Sequence, residues 1–226
     1  MKILVLNGSP KRDKSDTMHI TRAFLDGMNE VACQEDHIIH VIDRHIEFCT
    51  GCFSCMRNSG TCVHDDDMRA ILDEILSSDL LIWSFPLYCY GMPSPLKAVL
   101  DRTIPLVKMD MVKQPDGTVR HEALADFSKI HTLVICGCGF PHWEGNFDGL
   151  KKMCGVCFGN LDIVCVPETP LLNVPAAAAV ADPLLERFQR AGEEYAASLR
   201  LSRETVAGLE APMISAEEYI RNVNGI

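Results

Sequence analysis

The chain has 226 residues, 47% of them hydrophobic and 23% charged, the balance of a folded globule rather than a disordered chain. Its 21 Lys and Arg stand against 31 Asp and Glu, a formal charge of −10 that argues against nucleic acid or an anionic membrane surface as the main partner. The length suits one large domain, or a domain with an appendage.

Ile3 to Leu6 is a continuous apolar run, the mark of a strand buried on both faces. A polar loop follows, then Ile20, Ala23, Phe24, Met28 and Val31 at helical spacing. His37 to Ile42 reads as a second strand. After a cysteine-rich loop, Asp65, Asp66 and Asp67 supply helix-start acids to a stripe of Met68, Ile71, Leu72, Ile75 and Leu76. Leu80 to Phe85 is the third strand, stopped by Pro86. Ser94-Pro95 reads as an N-cap with proline at the first helical position, and the helix runs on until Pro105. Residues 106–128 show no clear period, and the turn at Pro115-Asp116-Gly117 suggests an inserted hairpin or lid. His131 to Cys136 is strand four, Phe147 to Phe158 a helix, and Leu161 to Val166 strand five. A last long helix begins at Asp182-Pro183.

This alternation implies an α/β fold, a doubly wound five-stranded parallel sheet with helices on both faces. The main domain is expected over 1–202, with 106–128 inserted, and 203–226 as a C-terminal extension packing on the body or on a partner subunit. Ligands of such sheets sit at the carboxyl ends of the strands, which directs attention to the loops 7–17, 86–94 and 137–146.

No membrane span is expected: the longest uncharged stretch, Leu80 to Leu96, is broken by Pro86, Gly91, Pro93 and Pro95. The apolar run at Ile3 is too short for the core of a secretory leader, so a cytoplasmic location is expected. Eleven cysteines, an odd number, then fit a disulfide framework poorly. Cys33, Cys89, Cys136, Cys138, Cys154, Cys157 and Cys165 lie in or beside apolar stretches and read as small buried hydrophobes.

In the first loop, Ser9, Lys11, Arg12, Ser15, Asp16 and Thr17 bring hydroxyls, amides and cations to a helix N-terminus, a setting that suits phosphate. Neither the dinucleotide G-x-G-x-x-G nor a P-loop pattern is present, and a plain strand-to-helix turn capped by Ser15 or Asp16 is the structural alternative. Asn7-Gly8-Ser9-Pro10-Lys11 with Ser15-x-Thr17 resembles the FMN phosphate loop of the flavodoxin-like NADPH-dependent FMN reductases, except that Asp16 stands where that family usually has Asn. A carboxylate there is unfavourable beside a phosphate unless its oxygens turn away.

Pro86, Leu87, Tyr88, Cys89, Tyr90 and Gly91 offer a flat aromatic wall and backbone amides, as a flavin ring needs. The stretch resembles the Pro-Val-Tyr-x-x-x-x-Pro segment of the same family, and Leu96-Lys97 with Asp101-Arg102 resembles its buttressing helix, in a structural role. Gly137, Cys138 and Gly139, followed by Phe140, would complete the ring pocket, with Trp143 as a shield or simple packing. The resemblance, covering residues 1 to about 170, implies a sheet order of 2-1-3-4-5 and a homo-oligomer, dimer or tetramer.

Cys49, Cys52, Cys55 and Cys62 place four thiols within fourteen residues. Close C-x2-C-x2-C runs with a further cysteine suit a cubane cluster, whereas structural zinc favours pairs held further apart. This stretch, through Asp65-Asp66-Asp67-Met68, resembles the iron–sulfur flavoproteins, in which such cysteines hold a [4Fe-4S] cluster; free thiols beside FMN alone are the other reading. The function implied is an FMN-dependent oxidoreductase passing electrons from NAD(P)H or a reduced carrier to a quinone, flavin, nitro compound or other small acceptor. Its rivals are an electron-transfer protein with FMN and a [4Fe-4S] cluster serving ferredoxin-like partners, and a zinc-stabilised binding module.

Overall fold

The computed structural model describes residues 1–225. Five parallel strands form the central sheet: β1 (Lys2–Asn7), β2 (Glu35–His40), β3 (Leu80–Pro86), β6 (His131–Gly137) and β7 (Leu161–Val166). Their order is β2-β1-β3-β6-β7, the expected 2-1-3-4-5 once the separate hairpin of β4 (Val107–Lys113) and β5 (Val119–Ala123) is set aside. The apolar runs of the sheet interior feed both faces, because side chains alternate along each strand. Leu4, Leu6, Leu81, Trp83, Phe85 and Val134 enter one core with α3 (Met68–Ser77), α4 (Ser94–Asp101) and α5 (Asp148–Cys157). Ile3, Val5, Leu80, Ile82, Leu133 and Val164 enter the other, with α1 (Asp16–Val31) and α6 (Ala178–Ser198).

Helices α1 and α6 cross closely because each offers a glycine. A Cβ on Gly27 would fall 1.8 Å from Gln189 O, and one on Gly192 would fall 2.0 Å from Phe24 O. Any side chain at either position forces the helices apart.

Several expected boundaries move. The second strand is Glu35–His40, since residues 41–43 turn into a single 3-10 turn that leads toward the cysteine loop. Pro93 rather than Ser94 occupies the N-cap of α4, so the helix starts one residue early. The last long helix begins at Ala178, so that Pro183 lies inside α6 rather than at its start. Pro183 is the sixth residue of α6, so the helix forgoes the one bond that an N–H there would make to the Ala179 carbonyl. Residues 106–128 do form a hairpin, turning at Gly117 with φ +86. A register shift between Val107 and Met111 hides the strand period there.

All eleven cysteines are free thiols. Cys136, Cys138, Cys154 and Cys165 are buried as expected, but Cys33, Cys89 and Cys157 are exposed. Cys33 follows the end of α1, Cys157 is the last residue of α5, and Cys89 sits at a turn tip; an apolar neighbourhood in sequence does not bury a residue at an element's end. After α6 come two helices in the tail, α7 (Arg203–Leu209) and α8 (Ala216–Asn224), anchored by buried Leu209 and Tyr219. The expected extension ends at Ile226, which lies outside the described residues. Among the described residues no helix is long and apolar enough to cross a membrane.

Candidate functional site

The loop after β1 is shaped by Asn7, which is fully buried. Its Oδ1 accepts from Ser9 N at 2.9 Å, its Nδ2 donates to Arg12 O at 3.2 Å, and Nδ2 also lies 2.9 Å from His40 Nδ1. Gly8 N donates to Ser84 O at 2.9 Å, and a Cβ on Gly8 would fall 2.7 Å from Leu96 Cδ2, so glycine lets the loop seat on α4. Ser15 takes the N-cap position of α1 but caps nothing with its side chain; its Oγ lies 2.9 Å from Thr17 Oγ1 instead. The first-turn N–H groups of α1 are therefore left without a side-chain cap, next to buried hydroxyls of Ser9, Ser15 and Thr17.

The carboxylate of Asp16 turns aside: Oδ1 takes a hydrogen bond from Asn173 Nδ2 and lies 3.4 Å from Lys11 Nζ. Arg12 adopts φ 54 and points its guanidinium at Asp43, with Nε–Oδ1 at 2.8 Å. Of the expected phosphate residues, Ser9, Ser15 and Thr17 are thus buried in the loop and the start of α1, while Lys11, Arg12 and Asp16 are committed to ion pairs.

Beyond β3, Tyr88 and Gly91 pair across a two-residue turn, N to O at 3.0 and 2.9 Å. Both central residues are left-handed, Cys89 at φ 47 and Tyr90 at φ 62, a conformation that costs energy for any residue except glycine. The turn holds Tyr88 and Tyr90 out as exposed aromatics. Leu87 N donates to Gly137 O at 2.7 Å, which fastens this loop to the one after β6. There Phe140 is exposed and its ring stacks on that of Tyr90. The loop 86–91 therefore lies beside Gly137, Cys138 and Gly139, joined by the pairing of Pro86 with Gly137 and the contact of Tyr90 with Phe140. Trp143 is half-buried, with Lys151 Nζ 4.3 Å above its ring. Burial pushes the Cys138 thiol up to about 11.

The cysteine loop is built from left-handed turns. Gly51 and Phe53 have φ of 65 and 55, ahead of the short α2 (Ser54–Arg57) that carries Cys55; Ser59 and Gly60 follow at 49 and 89. Cys49, Cys52, Cys55 and Cys62 line one concavity together with His64 and Arg102. Among the described residues no three Cys, His, Asp or Glu converge as they would on a single ion. Hydrogen bonds from Ser54, side chain and backbone, and from Thr50 lower the exposed Cys52 thiol to about 7, whereas burial raises Cys55.

Beneath the loop lies a buried ion pair that the sequence did not announce. Arg102 Nη1 donates to Asp66 Oδ2 at 2.7 Å and to Glu47 O at 2.5 Å, and Nη2 donates to Asp66 Oδ1 at 3.0 Å. The expected helix-start acids are partly diverted: Asp66 and Asp67 take the backbone N–H of Glu47 and His45, each at 2.8 Å, while Asp66 Oδ1 also accepts from Met68 N. Two buried nitrogens at the concavity, His64 Nε2 and Arg102 Nε, have no hydrogen-bond partner. A set of four soft thiols with two unpartnered nitrogens beside them, one a guanidinium N–H, fits a polynuclear iron–sulfur group.

Sequence reasoning also missed the residues that close the site from the C-terminal half. Asn173 reaches Lys14 O at 3.1 Å as well as Asp16. Glu168, fully buried at φ 57, accepts from Met213 N at 2.5 Å and Ile214 N at 3.2 Å, which holds α8 against the loops. A Cβ on Gly139 would lie 3.9 Å from the Tyr219 hydroxyl of α8. A charged residue two positions after a strand, as Glu168 is after β7, was the one available signal.

Residues 1–149 match the family described by its flavodoxin-like fold. The chain belongs to that flavodoxin-like family. It is similar to an iron–sulfur flavoprotein of Methanocaldococcus jannaschii, 27% identical over 70% of this chain and 86% of that one. It is also similar to an iron–sulfur flavoprotein of Methanosarcina thermophila, 31% identical over 61% of this chain and 78% of that one. Among solved structures, an NAD(P)H:quinone oxidoreductase from Methanothermobacter marburgensis superposes with a TM-score of 0.61 at 18% identity, covering 88% of this chain and 99% of the other. An FMN-dependent NADH-azoreductase from Bacillus anthracis, in complex with FMN, gives 0.59 at 19% identity, covering 87% and 100%. These structures share the flavodoxin-like fold.

Proposed function

We propose that this flavodoxin-like protein is an FMN-dependent oxidoreductase whose cysteine loop holds a [4Fe-4S] cluster. Electrons enter from NAD(P)H or a reduced, ferredoxin-like carrier and leave to a small acceptor such as a quinone, flavin or nitro compound. When bound, FMN supplies hydride and single-electron chemistry and the cluster single-electron chemistry. The protein's part is to hold, orient and shield. Ser9, Ser15, Thr17 and the first turn of α1 bind the phosphate, with Lys11 and Arg12 at the rim and the Asp16 carboxylate kept aside by Asn173. The loop 86–91 and Gly137, Cys138 and Gly139 bed the ring, with Tyr90 and Phe140 as its aromatic wall.

The observation that carries the cluster is the concavity itself, with Cys49, Cys52, Cys55 and Cys62 as ligands. Four free thiols spread around one hollow, without converging on one point, favour several irons over one zinc ion. The helix α4 leads from the aromatic loop to Arg102 at this hollow, a path of about 12 Å by helical rise. The main body 1–202 would then carry both groups, with 203–225 clasped over it, in a cytoplasmic homo-oligomer.

Purification and reconstitution without oxygen, followed by an absorption spectrum and metal analysis, test this. The expected result is a flavin spectrum with a broad brown shoulder and about four irons per chain, the shoulder lost in Cys52→Ser. A yellow spectrum without iron leaves a flavin enzyme with free thiols. A colourless protein with bound zinc overturns the proposal.

A further inference from the structure

The proposed cluster site has a second side made of nitrogen rather than sulfur. Arg102 is 2% exposed, and Asp66, paired with it, has a side chain only 1% exposed. The two Nη atoms are consumed by Asp66 and Glu47 O, but Nε has no partner although it is buried, and the same holds for His64 Nε2. Both residues line the hollow that the four cysteines line. A buried guanidinium N–H without a partner is rare, and beside it the unpartnered ring nitrogen of His64 donates in one of its two tautomers, so the cavity points to an acceptor that belongs there.

Building on the cluster reading, we propose that Arg102 is a direct ligand-side donor to the cluster, its Nε–H bonding a sulfur, with His64 Nε2 as a second donor. The chemistry selects sulfur as acceptor: the hollow is lined by thiols, backbone and apolar side chains apart from Asp101, which pairs with Lys97, and Thr50, whose hydroxyl bonds the Cys52 thiol. The Asp66 carboxylate balances the guanidinium charge. What reaches the cluster is therefore a directed N–H dipole rather than a net positive charge. Hydrogen bonds to cluster sulfurs stabilise the more negative, reduced state and raise the reduction potential. Arg102 closes α4 and is fastened by its own N–H to Ala98 O at 3.0 Å, so the donor is held rigidly.

The test uses the full chain reconstituted anaerobically with ferrous iron and sulfide. Protein labelled with 15N-arginine and reduced with dithionite is expected to show a 15N hyperfine coupling in pulsed electron paramagnetic resonance. Arg102→Lys keeps a cation for Asp66 but removes the Nε–H; it is expected to retain iron and to shift the midpoint potential, measured by mediated titration, to more negative values. A folded Lys variant that loses iron also supports the proposal, since the donor then helps to hold the cluster. Absence of the coupling overturns it, as does an unshifted potential at full iron content. If the Lys variant does not fold, the coupling in the unaltered protein decides. Failure of the unaltered protein to take up iron and sulfide overturns the cluster reading and this inference together, whereas iron uptake without a coupling overturns this inference alone.

Discussion

Tyr90 and Phe140 lie face to face, their ring planes 8° apart and their centroids separated by 6.2 Å. They come from loops after neighbouring strands, and both are exposed, at 57% and 43%. Aromatic surface left in water by a strained turn is the kind of wall that a planar ring covers. Replacing both, Tyr90→Leu with Phe140→Leu, is expected to weaken FMN binding roughly thirtyfold, at about 1 kcal/mol per ring. Fluorescence titration with FMN checks this; an unchanged Kd removes the pair from the site.

Ser9→Ala with Thr17→Ala is expected to lower FMN affinity at least about tenfold, since a hydrogen bond to a charged group contributes about 1.5–3 kcal/mol. The fold should survive, because neither hydroxyl holds two elements together: Ser9 Oγ accepts only from Lys11 N and Thr17 Oγ1 lies against Ser15. Equal affinity for riboflavin in both proteins, by the same titration, locates the loss at the phosphate.

Glu168 ties stability to pH. Burial raises its pKa above the ordinary carboxylate value, against the two N–H bonds from Met213 and Ile214 that lower it. A carboxylic acid whose folded pKa is raised binds its proton more tightly in the native state. Its contribution is present below the unfolded value of 4.5 and is lost as pH rises through the folded pKa. Glu168→Gln keeps an oxygen for the two N–H groups and removes the charge. The variant should melt higher than the unaltered protein at pH 7, with the difference vanishing below about pH 4. Melting curves across that range decide it.

Arg102→Met leaves Asp66 buried beside its backbone donors without its cation. Burial by itself would raise the Asp66 pKa; hydrogen bonds from Arg102, then from the Glu47 and Met68 N–H groups, outweigh it and hold it below the usual range. Breaking such a pair costs about 3–5 kcal/mol. Urea unfolding of the protein without iron should show a loss of that order, smaller when Asp66→Asn is combined with it.

The hairpin of β4 and β5 stands out from the body with one face of Met109, Met111 and Val119, all more than half exposed. Lys108 and Glu122 pair on its polar side at 3.0 Å. Replacing 107–123 by a short turn is expected to change the relative rates with quinone, flavin and nitro acceptors more than flavin content. Identical rate ratios before and after show that the hairpin is not a lid.

The inner strands were legible because β1 and β3 are buried on both faces, so Ile3–Leu6 and Leu80–Phe85 read as largely apolar runs, whereas the strand order came from the family resemblance. The three loops were legible for a related reason: in a doubly wound sheet the site lies where strands end, and local residue chemistry marks it. Boundaries shifted where a single turn, as at residues 41–43 or ahead of Pro183, was decided by packing rather than by pattern.

What the amino-acid order marked by itself was thus what has a period or a short spacing: the strands and helices, the candidate first loop, the grouping of the four cysteines. Only the folded chain decided that Asp66 meets Arg102, that Asn173 draws Asp16 aside, and that Glu168 clasps the tail over Gly139. Those partners lie 36, 157 and 45 residues apart. A hydrogen bond acts over a few ångströms and leaves no repeat along the chain, so its partners become visible only once the backbone has brought them together.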